Sequence, residues 1–170
     1  MNLPNKLTIL RIILIPVCLL LWALKIPVGA AIVFALAALT DFLDGYIARK
    51  RHLVSTFGKF ADPVADKMLV LSSMIFLCAD GILPAWAVTL VAARELMVDG
   101  LRMVAAEKGT VIAAGMLGKI KTNVQIFCVL SGMLLGAHWL TTTLVILTAI
   151  MTVASGVQYF LASRKIFQDK

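Results

Sequence analysis

The stretch DFLDGYIARKRHLVSTFGKFADPVAD, residues 41–66, carries four aspartates in a chain that is 61% hydrophobic. Asp41 and Asp44 are three residues apart, and Asp62 and Asp66 are four apart, so each pair shares one face if its segment is helical. A short polar segment between the pairs lets two helices turn back on each other. The stretch therefore predicts two antiparallel helices whose ends bring four carboxylates together.

The chain around this stretch has the composition of a membrane protein. It has 170 residues and a mean hydropathy of +0.98. Apolar runs recur at about the 20 residues that a helix needs to cross a bilayer. We predict six spans, at roughly 8–24, 28–48, 58–79, 85–106, 116–136 and 141–162. The sequence indicates an all-α integral membrane protein with one domain over residues 1–170, no cleavable signal peptide and no internal repeat.

The basic residues predict the orientation of these spans. With the N-terminus inside, nearly all Lys and Arg fall at cytoplasmic ends, and Lys25 alone lands clearly outside. Cytoplasmic loops are enriched in these residues, so both termini are expected in the cytoplasm. The net charge of +7 is then explained by those loops, and no nucleic-acid partner is expected. Chemistry that uses charged residues is expected at the cytoplasmic face.

Carboxylates at membrane depth need a nearby positive charge to offset their own. Asp44 lies about 8 Å inside the basic cluster at 49–51, at ~1.5 Å per helical residue, and a charge at depth costs at least about 2.5 kcal/mol. Clustered carboxylate oxygens suit Mg²⁺ or Mn²⁺. Salt bridges to Arg49, Lys59 and Lys67 are the alternative, but ion pairs do not need four acids in register. The sequence therefore favours a divalent-cation site.

Two small residues flank the basic end of the second span. Gly45 and Ala48 leave the helix surface beside Asp44 without large side chains. A ligand could approach the backbone there, since no large side chain stands in the way. Close packing of two helices would explain the same residues.

The whole pattern resembles the signature of the CDP-alcohol phosphatidyltransferases, a family of six-helix membrane enzymes. It matches at every fixed position: Asp41-x2-Asp44-Gly45-x2-Ala48-Arg49-x8-Gly58-x3-Asp62-x3-Asp66. Three further segments, NLPNKLTILRIILIP at 2–16, AREL…GLR at 93–102 and GKIKT at 118–122, resemble members that use sn-glycerol 3-phosphate as acceptor. The resemblance implies phosphatidyl transfer from CDP-diacylglycerol with release of CMP, at the cytoplasmic side of a bacterial inner membrane.

The resemblance also implies roles for the motif residues. Asp41, Asp44 and Asp62 would hold two Mg²⁺ or Mn²⁺ ions, and Asp66 could join them and act as the general base. The residues implied in binding CDP-diacylglycerol are Asn5, Thr8, Asp41, Gly45, Ala48 and Arg49. For Asn5 and Thr8, capping of the first helix is the alternative, since both residue types are common caps.

An acceptor phosphate calls for cations, and four lie at cytoplasmic ends of the fourth and fifth spans. They are Arg94, Arg102, Lys119 and Lys121. Arg94 lies about two turns inside Arg102 on the same face, at a depth where an arginine needs a polar cavity or a partner. Neighbouring helix residues do not face each other, which counts against Glu95 as that partner. The two lysines could instead be membrane anchors, and Asp99 could pair with Arg102 or Arg94.

Other functions stay open on sequence alone. Within the family, inositol phosphate, serine or phosphatidylglycerol could be the acceptor. A small cation transporter is the alternative from another class, but such proteins usually carry charges near the midplane and repeated halves. The family suggests a homodimer. The GxxxG formed by Gly132 and Gly136 fits either a dimer contact or packing within one subunit.

Overall fold

The computed structural model of the chain describes the backbone of residues 3–51, 56–108 and 115–164, and the side chains of residues 5–40, 61, 63–108 and 115–164. Regular structure in these ranges is helical throughout. The helices are α1 Leu3–Ala23, α2 Pro27–Arg51, α3 Thr56–Ala79, α4 Ala85–Glu107, α5 Met116–Leu135 and α6 Trp139–Ser163. The all-α prediction is confirmed, and each predicted span coincides with one helix to within a few residues.

Proline and glycine mark the helix boundaries. Pro27 opens α2, and Pro84 precedes α4 with φ −73° and ψ 139°. Gly81 follows α3 with φ +74°, and Gly136 ends α5 with φ +64°. Glycine adopts this left-handed region without the steric penalty that a Cβ brings. These residues explain why the helix ends could be read from the sequence.

The bundle is held by apolar contacts between neighbouring helices. α1 packs against α2 and α3, α5 packs against α6 and α2, and α4 packs against α6. The fully buried core includes Phe34, Leu69, Met74, Leu77, Val91 and Val129. A Cβ on Gly132 would lie 3.0 Å from Leu77 Cδ1, so this glycine serves packing within the chain. That contact supports the interpretation of the GxxxG sequence as packing within one subunit.

The surface of the bundle is more apolar than that of a soluble protein. Large apolar side chains are exposed on every described helix, for example Leu20, Ile32, Ile75, Leu96, Phe127 and Ile150. Charged and polar side chains are buried, among them Arg11, Arg94, Glu95, Lys121 and Thr152. Monomeric soluble proteins rarely expose contiguous apolar surface on this scale. The surface therefore suits a lipid environment.

Two described helices are long and apolar enough to cross a membrane by length and composition alone. They are Asn5–Ala23 and Trp139–Ser163, and the apolar part of α2, Pro27–Thr40, is shorter. At the end of the bundle where α1 meets α2, Asp80 accepts hydrogen bonds from Trp22 Nε1 at 2.9 Å and from Lys25 Nζ at 3.1 Å. This small polar contact lies at the end opposite to the larger cluster described next.

Candidate active site

Polar side chains of α3, α4, α5 and α6 converge on one cavity of about 190 Å³. Helical spacing accounts for the convergence: Arg94, Val98 and Arg102 recur every four residues along one face of α4, and Gly118 and Thr122 do so on α5. The polar residues that line it are Asp66, Lys67, Arg94, Glu95, Arg102, Lys119, Thr122 and Tyr159. Four of these side chains are basic and two are acidic, so the cavity has an excess of positive charge.

Glu95 is the centre of this cluster. Its Oε1 accepts a hydrogen bond from Arg94 Nη1 at 3.2 Å and another from Lys121 Nζ, and Lys67 Nζ lies 3.9 Å from Oε2. The prediction that adjacent residues Arg94 and Glu95 would not meet is wrong. Their side chains are long enough to meet although their Cβ atoms point in different directions, and Lys121 donates to the same carboxylate oxygen.

The two lysines of α5 have different environments. Lys121 is 3% exposed and is bonded to Glu95, so the interpretation of Lys121 as a membrane anchor is wrong. Lys119 is exposed and lies at the rim of the cavity. Lys121, Asp66 and Gln125 also line a small adjoining cavity between α3, α4 and α5. Lys121 is therefore buried beside the site, whereas Lys119, on a different face of α5, lies at its entrance.

Tyr159 on α6 connects the two arginines of α4. Arg102 donates to the Tyr159 hydroxyl from Nε at 3.1 Å and also from Nη2. The guanidinium carbons of Arg94 and Arg102 lie 5.7 Å and 5.3 Å from the centre of the Tyr159 ring, within cation–π range. The sequence interpretation missed Tyr159. The available signal was a tyrosine in a helix without charged residues, since a buried hydroxyl needs a partner.

One buried hydrogen-bond donor of Arg94 is not satisfied by the described residues. The residue is 7% exposed, and its Nε has no hydrogen-bond partner among the described residues. A buried unsatisfied donor costs about 1–3 kcal/mol. The arrangement is therefore suited to an anionic ligand that enters the cavity and accepts from this nitrogen.

Asp99 pairs with a residue that the sequence did not suggest. It forms an ion pair with Lys67 of α3, and the expected pairing with Arg102 or Arg94 is wrong. Lys67 thus contacts two acids of α4, Glu95 and Asp99. This contact fixes α3, which carries Asp66, against α4, which carries the arginines.

The aspartate motif is described only in part. α2 extends through residues 41–49 and α3 through residues 62–66, so both pairs lie on helices as predicted. The side chains of Asp41, Asp44, Gly45, Ala48, Arg49 and Asp62 lie outside the described residues. Within the described part, no group of three or more His, Cys, Asp or Glu could hold a metal ion, and Asp66 is the one motif acid it includes.

Asn5 and Thr8 lie inside α1 and not at its start. Because the helix begins at Leu3, neither residue caps it, and the capping interpretation is wrong. Asn5 is 9% and Thr8 1% exposed, and Arg11 on the following turn is fully buried. The polar side of this end of α1 therefore faces the interior of the bundle.

A helical bundle with an apolar exterior and a cationic interior cavity suits a membrane protein that binds anionic ligands. The chain belongs to the CDP-alcohol phosphatidyltransferase family, whose model matches residues 1–155. The family resemblance drawn from the aspartate motif is thereby confirmed.

Similar proteins are found in several bacteria. A CDP-diacylglycerol–glycerol-3-phosphate 3-phosphatidyltransferase of Bacillus subtilis is 44% identical, with 94% of this chain and 93% of that protein covered. Proteins of the same name from Rickettsia bellii and Shigella flexneri are 40% and 36% identical. These two alignments cover 98% and 99% of this chain, and 97% and 98% of the relatives.

The Glu95 cluster predicts strong coupling between Glu95 and Lys121. Glu95→Ala should lower the free energy of unfolding by about 3–5 kcal/mol, because it leaves the buried Lys121 without its partner. The double variant Glu95→Ala/Lys121→Met should be less destabilised than the sum of its single changes. Thermal unfolding in detergent measures the stability of Glu95→Ala, of Lys121→Met and of the double variant.

Lys25→Met is the control, because it removes an exposed cation from the other end of the bundle. Its effect should be about 1 kcal/mol or less. Strictly additive effects of the Glu95 and Lys121 changes would contradict the coupling.

Proposed function

We propose that this chain transfers the phosphatidyl group from CDP-diacylglycerol to sn-glycerol 3-phosphate, giving phosphatidylglycerophosphate and CMP, in the synthesis of anionic phospholipids. The observation that carries the proposal is the near full-length similarity to enzymes named for this reaction, at 36–44% identity. The cationic cavity of the described residues adds a physical reason for a phosphorylated acceptor.

The cavity is suited to the acceptor phosphate. Arg94, Arg102, Lys119 and Lys121 are the proposed binding residues. Arginine offers a planar fork of donors to phosphate oxygens, and lysine offers a point charge. An excess of two positive charges among the side chains lining the cavity complements a phosphate dianion. Its volume of about 190 Å³ suits a small polar acceptor better than a lipid such as phosphatidylglycerol.

Glu95 has a supporting role in this proposal. It holds the side chains of Arg94 and Lys121 in place while leaving their total charge in excess of its own. A preorganised cation pair loses less conformational entropy when the phosphate binds. A cavity with this sign of charge also disfavours the passage of cations, which argues against the transporter alternative.

The donor is proposed to bind at the aspartate motif. Gly45, Ala48, Arg49 and Asp41 would contact CDP-diacylglycerol, and Asn5 and Thr8 would hold its nucleotide. The burial of Asn5 and Thr8 inside the bundle supports a role other than capping.

Asp41, Asp44 and Asp62, with Asp66 able to join them, would hold two Mg²⁺ or Mn²⁺ ions. The donor set fits hard divalent cations, because it consists of carboxylate oxygens. When bound, the ions would supply charge neutralisation for the diphosphate and for the departing CMP.

Asp66 is the proposed general base. It lines both the acceptor cavity and the small adjoining cavity, so it faces the place where the acceptor hydroxyl would lie. Asp66 would take the hydroxyl proton as that oxygen forms a bond to the β-phosphorus of the donor. The bond between this phosphorus and the bridging oxygen then breaks, and CMP leaves with the electron pair.

The proposed setting is one six-span membrane domain over residues 1–170, with both termini and the site at the cytoplasmic face of a bacterial inner membrane. The distribution of Lys and Arg along the chain supports this orientation. A homodimer is carried over from the family resemblance.

An acceptor panel tests the proposed reaction. We expect the detergent-solubilised protein to release CMP from CDP-diacylglycerol with Mg²⁺ and sn-glycerol 3-phosphate, because the cavity complements a small phosphorylated acceptor. Serine, inositol phosphate and phosphatidylglycerol are tested one at a time for comparison. CMP release with inositol phosphate and none with sn-glycerol 3-phosphate would show that the acceptor is wrongly assigned. No release with any acceptor would remove the proposed enzyme class.

Asp66→Asn tests the assignment of the base. Turnover should fall by about 10²–10⁴-fold, the usual contribution of a general base, while binding of CDP-diacylglycerol is retained. Asp80→Asn is the matched control, since Asp80 is an acid of the opposite end of the bundle, paired with Lys25, and has no proposed part in proton transfer. If Asp66→Asn keeps normal turnover, another group takes the proton.

Arg94→Met tests the acceptor site while it keeps an apolar side chain of similar length. The KM for sn-glycerol 3-phosphate should rise by about 10- to 100-fold, the loss of one charge-assisted hydrogen bond. The KM for CDP-diacylglycerol should change by less than about twofold. Lys25→Met, at the opposite end of the bundle, should change neither value. An unchanged acceptor KM would return Arg94 to a structural role.

A further inference from the structure

An apolar groove runs between α4 and α6 on the outer surface of the bundle. Its volume of about 330 Å³ is within the range of ligand pockets. Met97 on α4 and Val157 and Phe160 on α6 form its rim and are 62%, 54% and 60% exposed. The groove is therefore open to the surrounding lipid and is lined by side chains that suit a hydrocarbon.

The dimensions of the groove match one acyl chain. Its lining extends along α4 from Leu90 to Leu101, which is roughly 16 Å at ~1.5 Å per residue. Half of a hydrocarbon core about 30 Å thick has nearly the same depth. The groove is parallel to helices that cross the membrane, so a chain lying in it would follow the ordinary direction of lipid tails.

The groove and the polar cavity share a wall one residue thick. Arg94 and Val98 line both. The stem of Arg94 borders the groove, where its Cγ would be 3.5 Å from a Cβ placed on Gly156. Its guanidinium group lies among Glu95 and Tyr159 on the cavity side, with Nε still lacking a partner among the described residues. An acyl chain in the groove would therefore lie directly beside the cavity in which the acceptor phosphate is proposed to bind.

We propose that the groove holds one acyl chain of the phosphatidyl group that is being transferred, while the phosphate end of that group reaches the cavity. The groove would bind this chain in CDP-diacylglycerol before transfer and in the product afterwards. The inference rests on the proposed function, because that function supplies the lipid donor. A bulk phospholipid and a second copy of this chain are the other occupants that the experiment must distinguish.

Two pairs of variants test the proposal. Met97→Trp and Val157→Trp fill the groove from its two walls. Leu96→Trp and Ile146→Trp are the controls, since these residues are 72% and 52% exposed on the same helices and do not line the groove. The measured quantity is the ratio of kcat/KM for CDP-dioleoylglycerol to kcat/KM for CDP-dihexanoylglycerol, with sn-glycerol 3-phosphate as acceptor.

We expect the ratio to fall about tenfold in both filled variants, because the long chain loses several methylene contacts and the short chain loses few. The controls should keep the wild-type ratio, and the acceptor KM should be unchanged throughout.

Equal losses for both donors, or an unchanged ratio, would overturn the proposal and leave the groove to bulk lipid. If the filled variants keep the wild-type ratio but form a different amount of cross-linked oligomer, the groove is assigned to a second copy of this chain. Absence of CMP release by the wild-type protein with either donor would instead remove the proposed function, on which this inference rests.

Discussion

The carboxylate of Glu95 is the contact on which the polar half of the bundle depends. It lies among Lys67, Arg94 and Lys121, which come from three different helices. Buried cations without a counter-charge are expensive, so the buried Arg94 and Lys121 need the acid in order to remain inside. One acid cannot neutralise three cations, however, and Asp99 compensates Lys67 from the other side. These ion pairs hold α3, α4 and α5 together at this end of the bundle, and an excess of positive charge remains for a ligand.

The apolar exterior and the polar interior depend on each other. Lipid-facing residues contribute no hydrophobic driving force between helices, because lipid tails are as apolar as leucine. Packing contacts such as Gly132 on Leu77, and polar contacts such as Ser131 with Thr141 at 2.8 Å, therefore carry more of the association. Hydrogen bonds and ion pairs inside the bundle serve both assembly and the site. A change in the cluster is expected to affect stability and activity together.

Most of the helical architecture could be predicted because its signals are local. Apolar runs of membrane length end at Pro27, Pro84, Gly81 and Gly136, and each of these residues acts through its own backbone. The contacts that were missed depend on distant segments. Tyr159 meets Arg102 across 57 residues, and Asp99 meets Lys67 across 32. The Arg94–Glu95 contact was missed for another reason: the spacing rule follows Cβ directions, whereas long side chains can bend toward each other.

The position of Arg94 explains why an arginine suits it better than a lysine. Its stem borders an apolar groove, its guanidinium lies over the Tyr159 ring, and one of its nitrogens donates to Glu95. A planar group with several donors can stack, form an ion pair and still present Nε to a further acceptor. The lysine ammonium is a compact charge whose three donors leave from one atom, so it could satisfy Glu95 but would not keep the stacking geometry. At the wall between a lipid-exposed groove and a cationic cavity, the amphipathic shape of arginine matches both surfaces at once.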